Sequence, residues 1–395
     1  MVLNDRIKAV ESALQKLSIP GWLFYGFQRV DPLALRILGF PDSVNPSRRW
    51  FYLVTAKGEP QKLVHHIESS QLDHLPGTKN TYLRWQELRS ELVRMLKRVG
   101  KVAMQYSENC RTPYVSKVDA GTIELVRDMG VEVVSSADLV QLFEAVLSPK
   151  EVEEQVVTAR TLTEIVNQSY GEIAETIQKG FSICEYDVQQ SILRSFERHD
   201  LVSDHPPMVA VNNHSGDPHY NPPHEGSERI RRGDFLLIDL WARPNKPTSV
   251  YADITWNGFF GPKIPAPIQK TFEIIRKARD VGVEFLNSCL LVGRKVQGWE
   301  VDDQVRGVIE KAGFGEFFVH RSGHNIGREV HGNGVNFDNI ESHDTRTVIP
   351  GILCSIEPGI YLENFGVRTE INIFVHERKV VVTTPPQNQV LTFDI

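Results

Sequence analysis

Cysteine is scarce in this chain. There are four in 395 residues, Cys110, Cys184, Cys289 and Cys354, and no two show C-x-x-C spacing. That excludes a disulfide framework or a zinc knuckle and fits small buried thiols in a reducing cytoplasm. Long apolar runs are missing too: none approaches the roughly 20 residues that a membrane-spanning helix needs. The opening MVLNDRIKAVESALQKL lacks a basic region followed by an apolar core, so no secretory signal is expected. Nor is there an excess of positive charge. Lys and Arg number 44 against 50 Asp and Glu, a net charge of -6, which speaks against a nucleic-acid surface. The expectation is a cytoplasmic protein with neither a membrane nor a nucleic acid as partner.

What is present reads as a globular chain of two domains, with 41% hydrophobic and 24% charged residues. Through residue 148 helix and strand alternate in α/β fashion. Ile7, Val10, Leu14 and Leu17 recur at helical spacing, with Asn4 as N-cap. Gly21–Gly26 reads as a buried strand, Trp50–Thr55 and Gln61–His66 as a hairpin, Trp85–Val99 as a helix and Lys101–Tyr106 as a strand. The second domain, 149–395, opens at Ser148-Pro149 with a long helix that stops at Gly180. A helix near 185–198 follows, and then strands dominate, at Met208–Asn212, Phe235–Trp241 and Tyr251–Phe260. Helices are expected near 266–291 and 301–312. Strands are expected at Val319–His320, Ile326–His331, Leu353–Leu362, Val367–Phe374 and Val380–Thr383. Strand blocks separated by long helices indicate an α+β sheet with helices on one face.

Four carboxylates and an imidazole sit in the apolar or Gly-rich stretches of this second domain: Asp239 in LLIDLW, Asp253 in YADITW, His324 in RSGHNIG, Glu357 in CSIEPG and Glu370 in VRTEIN. Acids in buried strands need a compensating positive charge. Asp239 and Asp253 lie on two runs joined by the turn-rich Arg243–Thr248, and a hairpin there brings them side by side. Glu357 and Glu370 lie on two more runs joined by Leu362–Gly366. With Leu362 facing Val367, Glu357 falls opposite Asn372 and Glu370 one diagonal away on the same face. Arg368, two residues before Glu370, shares that face and is expected to pair with the carboxylates behind the ligands. Four carboxylates with one imidazole suit Mn²⁺ first, or Co²⁺, Zn²⁺ or Fe²⁺, better than Ca²⁺. They exceed what one ion uses. Two ions about 3.5–4 Å apart, which lower the pKa of bound water and polarise a carbonyl, imply hydrolysis.

Five motifs in order resemble the creatinase, prolidase, aminopeptidase P and methionine aminopeptidase superfamily: IDLW at Ile238–Trp241, ADIT at Ala252–Thr255, HRSGHNIGREVH at His320–His331, EPGIY at Glu357–Tyr361 and GVRTE at Gly366–Glu370. The resemblance covers about 150–395 and implies a pita-bread catalytic domain, a curved antiparallel sheet with helices on one face. The smaller α/β domain in front is similar to that of creatinase, prolidase and aminopeptidase P. By resemblance Asp239 chelates one ion, Asp253 and Glu370 bridge both, and His324 and Glu357 bind the other. Glu357 also shuttles the proton from water to the leaving amine. His331 matches a histidine that contacts the substrate carbonyl, and His219, in Asp217-Pro-His-Tyr220, one that stabilises the tetrahedral intermediate. Tyr220 is a candidate substrate contact.

The chain departs from the family pattern at Trp241, where Gly is usual, at Asn325, at Trp256 and at Gly332–Gly334. No arginine cleanly matches the one with which prolidases bind a C-terminal proline carboxylate. His343 and Arg346 are the nearest candidates, and Asp344-x-Arg346 equally fits a structural turn. The expected activity is hydrolysis of short Xaa-Pro peptides, as a dipeptidase or as an aminopeptidase P, by a homodimer. A metal-free creatinase-like hydrolase, a lyase or other small-molecule enzyme on this scaffold, and a non-enzymatic binding protein are the rivals. The complete ligand set speaks against the first and the last.

Overall fold

The computed structural model describes residues 3–41 and 43–395, with the side chains of Leu3 and Asn4 excepted. Asn4, expected as the N-cap, is instead the second residue of the first helix, which already begins at Leu3. The chain divides into two compact units between Glu144 and Ala145, a few residues before the boundary read at Ser148. Ala145 already packs into a core of the second unit, and the Leu147 N–H donates to the Gly351 carbonyl at 2.8 Å.

Among its described residues the first unit has six strands: β1 (Gly21–Gly26), β2 (Trp50–Thr55), β3 (Gln61–His65), β4 (Thr78–Tyr82), β5 (Lys101–Met104) and β6 (Glu132–Ser135). They form one sheet in the order β4-β3-β2-β1-β5-β6. Its helices are α1 (Leu3–Lys16), α2 (Pro32–Ile37), α3 (Trp85–Leu96), α4 (Ala120–Arg127) and α5 (Ala137–Glu144). Strand alternation sends Trp22, Phe24, Tyr52 and Val54 to one core with α1, α2 and α5. Leu23, Tyr25, Phe51 and Leu53 go to another with α3 and α4. Asp31 caps α2 by accepting the Ala34 N–H at 2.9 Å. Burial, only partly offset by the Ala34 and Leu33 N–H groups, raises its pKa from 3.8 to about 7.

That shift makes a prediction. A carboxyl whose folded pKa exceeds its unfolded pKa contributes stability at low pH that is lost as pH rises through the folded value, here between about pH 4 and 7. Asp31→Asn keeps an acceptor for Ala34 and carries no charge. The variant is expected to gain on the wild type by up to ~4 kcal/mol between pH 4 and 8. Thermal melts of both proteins across that range check it, and a difference that does not change with pH contradicts it.

The second unit begins with α6 (Pro149–Gln178), whose Ser148 and Glu151 form a capping box, and α7 (Glu185–Arg198). Then come β7 (Leu201–Val202), β8 (Met208–Val211), β9 (Phe235–Pro244), β10 (Ala252–Phe259), α8 (Ala266–Leu291) and α9 (Gly298–Lys311). The rest is β11 (Asn325–Ile326), β12 (Leu353–Ile356), β13 (Gly359–Tyr361), β14 (Gly366–Arg368), β15 (Ile371–Val375), β16 (Val380–Val382) and β17 (Leu391–Thr392). One sheet runs β17-β10-β9-β7 with β8 also on β9; a second runs β11-β12-β15-β16; β13 and β14 pair as a hairpin. No described helix is long and apolar enough to cross a membrane.

Period-two alternation decides what each sheet presents. On β9 and β10, Leu236, Ile238, Leu240, Ala252 and Ile254 pack with Leu162, Val166 and Tyr170 of α6 and with Val188 and Ile192 of α7. Asp239, Asp253 and Thr255 between them face the other way. The approach of α6 is close: a Cβ on Gly258 would lie 2.3 Å from Tyr170 Cε1, so this position needs glycine. On the second sheet Cys354, Ile356, Ile371 and Ile373 pack with Ile275 and Ala278 of α8 and with Val305 and Ile309 of α9. Ser355, Glu357, Glu370 and Asn372 take the opposite face.

Three expectations are corrected. Val319–His320 is irregular, because the Phe318 and His320 carbonyls accept from the Arg306 guanidinium at 2.8 Å instead of from a strand. Of the strand expected at Ile326–His331 only Ile326 is in one, the end of the two-residue β11, and 327–331 is a loop. The Asn325 side chain accepts the Gly334 N–H and donates to the Leu353 carbonyl, and the Gly332 N–H returns to the Asn325 carbonyl. The hairpin register differs by two residues, since Tyr361 pairs with Gly366 and Leu362 lies in the turn. Asn372 pairs with Ser355, and the same register continued through the break at Pro358 sets Glu357 opposite Glu370.

Candidate metal centre

The structure brings all five sequence-derived candidates together. Asp239 sits opposite Thr255 in the β9–β10 register and Asp253 opposite Trp241, so both acids project from one face of that hairpin. The Thr255 hydroxyl lies 3.0 Å from Asp239 Oδ1 and 3.0 Å from Glu370 Oε2, which links the two sheets. Asn372 links them again: its side chain accepts the Asp253 N–H at 2.9 Å and donates to the Asp253 carbonyl at 2.8 Å. His324 enters from the loop beside β11, its N–H held by Ser355 Oγ at 2.9 Å. Its Nε2 is 3.6 Å from Asp253 Oδ2 and 3.2 Å from Glu357 Oε1. One side-chain atom each of Asp253, His324 and Glu370 lie within 4.8 Å of one another.

Negative charge is concentrated here. Burial, then the Asp239 and Glu357 charges, raise the Asp253 carboxyl well above its ordinary pKa. Burial, then Asp253, Glu357 and Asp239, do the same to Glu370. Burial raises Asp239 as well, against the Arg368 guanidinium that sits 2.5 Å from its Oδ2. Burial acts on Glu357 in the same direction, but the hydrogen bond from His324 and the charges of His324, His320 and Arg368 outweigh it and hold Glu357 well below the usual carboxylate range. Asp253 Oδ1 and Glu370 Oε1 are buried and have no hydrogen-bond partner among the described residues. Buried oxygens of this kind are costly unless a cation takes their lone pairs. Carboxylate oxygens with one imidazole nitrogen form the donor set of a first-row divalent ion, so the residues fit such a group.

Arg368 backs the acids as its strand position predicts. Besides Asp239 it reaches Thr255 Oγ1 at 3.1 Å, the Pro218 carbonyl at 3.3 Å and the Tyr361 hydroxyl at 3.0 Å. The Tyr361 hydroxyl is also 2.7 Å from His320 Nε2. His320, Tyr361, Thr255, Ser355 and Asn372 were not singled out from the sequence. His320 opens one of the quoted motifs and Tyr361 closes another, which is the signal that could have marked them.

The ring of His331 meets that of His324 edge to face at 4.5 Å. Although the residue keeps an exposed edge, loss of water around the ring, then the charges of His324, Arg321 and His219, push its pKa down and keep it neutral. His219 is exposed, with its N–H on Asp217 Oδ1 at 3.0 Å, and is near enough for His331 to feel its charge. The Tyr220 hydroxyl donates to Glu185 at 2.7 Å and is committed there. His343 is exposed and contacts Asn339 and Trp299, and none of its described contacts reaches the carboxylates. Arg346 is corrected as a substrate contact. It is 2% exposed, its guanidinium is spent on Asp344 and the Asn333 carbonyl, and it belongs to the structural turn.

The cross-sheet tie can be tested. Asn372→Ala strips the Asp253 backbone of both bonds and Gln155 of a third. The variant is expected to lose about 2–4 kcal/mol of stability and to bind divalent ions more weakly. Denaturant unfolding and metal titration check it; unchanged values in both contradict the role of the tie.

Residues 158–377, more than half of the chain, match the profile of metallopeptidase family M24. The chain belongs to that family. This M24 metallopeptidase is 32% identical to the putative dipeptidase YkvY of Bacillus subtilis strain 168 over 179 residues, 45% of this chain and 44% of that protein. It is 30% identical to the Xaa-Pro dipeptidase of Pyrococcus furiosus over 168 residues, 42% of this chain and 43% of that one. The chain spans less than half the length of the curated relatives it matches. Among solved structures, the dipeptidase PepE from Mycobacterium ulcerans superposes with a TM-score of 0.69 at 19% identity, over 100% of this chain and 98% of that one. That likeness speaks to the fold alone, an α+β pita-bread arrangement.

Proposed function

We propose that this M24 peptidase hydrolyses Xaa-Pro peptide bonds as a dipeptidase, using two divalent ions, manganese by preference. Asp239, Asp253, His324, Glu357 and Glu370 would hold them. The observation that carries the reading is the pair of buried oxygens without a partner among the described residues, Asp253 Oδ1 and Glu370 Oε1, in the cluster they form with His324, which Glu357 joins through His324 and Asp239 through Thr255. That number of acids exceeds the ligand needs of a single ion with one open position. The proline preference follows the Pyrococcus furiosus relative. When bound, the ions supply Lewis-acid polarisation of the scissile carbonyl and activation of water.

The chain's residues do the rest. Glu357, held ionised by His324 and Arg368, accepts the proton of the attacking water and passes it to the leaving imide nitrogen. Neutral His331 and the exposed His219 present ring N–H groups to the carbonyl oxygen as negative charge develops on it. Arg368 fixes Asp239 from behind.

The test uses manganese-loaded protein with Ala-Pro, Ala-Pro-Ala and Ala-Ala, each with and without chelator. Cleavage of Ala-Pro alone, abolished by chelator and restored by Mn²⁺, is expected. Cleavage of the tripeptide and not the dipeptide selects an aminopeptidase P. No cleavage of either proline peptide, or activity indifferent to chelator, overturns the proposal.

A further inference from the structure

Glu185 is the first residue of α7, and its side chain is 0% exposed. A buried carboxylate is costly unless its lone pairs are taken, and here four donors take them. Oε1 accepts the Val211 N–H at 2.8 Å and contacts His214 Nδ1 at 2.9 Å. Oε2 accepts the Tyr220 hydroxyl at 2.7 Å and the Glu228 N–H at 3.3 Å. All four donors come from the single segment 211–228, which carries His219. Three of them bracket the turn Asn212–Gly216 and its exit, and the Tyr220 ring stacks on His214 at 4.4 Å and 27°.

The other side of the segment is tied to the carboxylate cluster. Ser215 Oγ accepts the Gly366 N–H at 2.9 Å, and Arg368 donates to the Pro218 carbonyl at 3.3 Å. A Cβ on Gly366 would lie 2.0 Å from the Ser215 carbonyl oxygen, so the two backbones are in contact. His219 thus hangs between two fixed neighbours, Pro218 on Arg368 and Tyr220 on Glu185.

We infer that Glu185 is a positioning residue that sets the His219 imidazole over the metal centre through Tyr220 and His214. The inference rests on the reading of His219 given under Proposed function. Shape alone does not supply the hold. Each oxygen of Glu185 takes one backbone N–H, so an isosteric glutamine must turn its amide N–H₂ against a backbone N–H whichever way it is flipped. Glu185→Gln therefore loosens the segment without a change of volume. A displaced imidazole affects the reacting geometry more than substrate affinity, and kcat is expected to fall about 10- to 100-fold with KM nearly unchanged.

A double-mutant cycle on the manganese-loaded enzyme separates positioning from general stability. Glu185→Gln, His219→Ala and the double variant are assayed on Ala-Pro, with melting temperature and bound manganese measured for each. The expected result is that the double variant is no slower than His219→Ala alone, because Glu185 acts only through His219. Multiplying losses, or a Glu185→Gln kcat equal to wild type while His219→Ala is impaired, overturn the inference and leave the peptidase reading standing. A His219→Ala enzyme with wild-type kcat removes the His219 reading and the inference with it. Should Glu185→Gln fail to fold, Tyr220→Phe, which removes one of the four donors, takes its place in the cycle with the same criteria.

Discussion

Glu370→Gln is expected to abolish hydrolysis while making the metal-free protein more stable than wild type. Glu370 is 1% exposed, and one of its oxygens is held by Thr255 while the other has no partner among the described residues. Without a cation the cluster gathers four acids around one guanidinium. The wild-type apoprotein therefore carries acids whose folded pKa values lie above their unfolded values. Such groups contribute stability at low pH that is lost as pH rises through the folded pKa. Glutamine keeps the shape and an acceptor for Thr255 and removes one of those charges. At neutral pH the metal-free variant is expected to gain about 1–3 kcal/mol, a few degrees in melting temperature. The gain should shrink toward pH 5. The same substitution takes away charge that holds the ions, so at least ~10³-fold of kcat/KM is lost. Calorimetry of chelator-treated proteins, with and without added Mn²⁺, checks both halves. A variant that melts below wild type when metal-free, or that Mn²⁺ stabilises as strongly as it does wild type, contradicts the account.

The second large effect falls on Glu357. Its position opposite Glu370, at the break between two ladders, leaves the carboxylate free of strand bonding and partly exposed, with 15% of the side chain accessible. Ser355 Oγ at 3.1 Å and His324 at 3.2 Å fix its Oε1. Burial raises its pKa and the neighbouring positive groups lower it more, so the group is ionised at neutral pH and able to take a proton. Glu357→Gln retains the size and removes the base. At saturating Mn²⁺, kcat is expected to drop about 10²- to 10⁴-fold with little change in KM. Steady-state kinetics on Ala-Pro decide this. A kcat within about threefold of wild type contradicts the proton-transfer role.

The parts of the fold legible in the sequence are those governed by local period. The buried strand Gly21–Gly26, the β2–β3 hairpin and the long helices α6 and α8 follow from alternation, capping and breakers that lie within the segments themselves. So does the common face of Asp239 and Asp253, since Ile238 and Ile254 beside them must point to the α6 side. The hairpin joining Glu357 to Glu370 was legible in kind but not in register. The four-residue turn at Leu362–Phe365 lies one position earlier than the expected turn at 363–366, which shifts the register by two, preserves the face and changes only who stands opposite whom. The stretch after His324 resisted reading because its bonds are made by the Asn325 side chain and not by a ladder. Arg346 was legible only as two alternatives, and the bidentate contact with Asp344 decided between them. Thr255, Ser355 and Asn372 were not read as site residues because they are not ligand types. What makes them part of the centre is the meeting of β10 with β15, a pairing of residues more than a hundred positions apart.

The central claim is that five side chains hold two ions together. Calorimetric titration of the metal-free protein with Mn²⁺, with bound metal counted by elemental analysis, tests it most directly. The account predicts two ions per chain in the wild type and, because Asp253 would bridge them, a severe loss of both in Asp253→Asn. A wild type that binds one ion or none, or an Asp253→Asn protein that still binds two tightly, contradicts it.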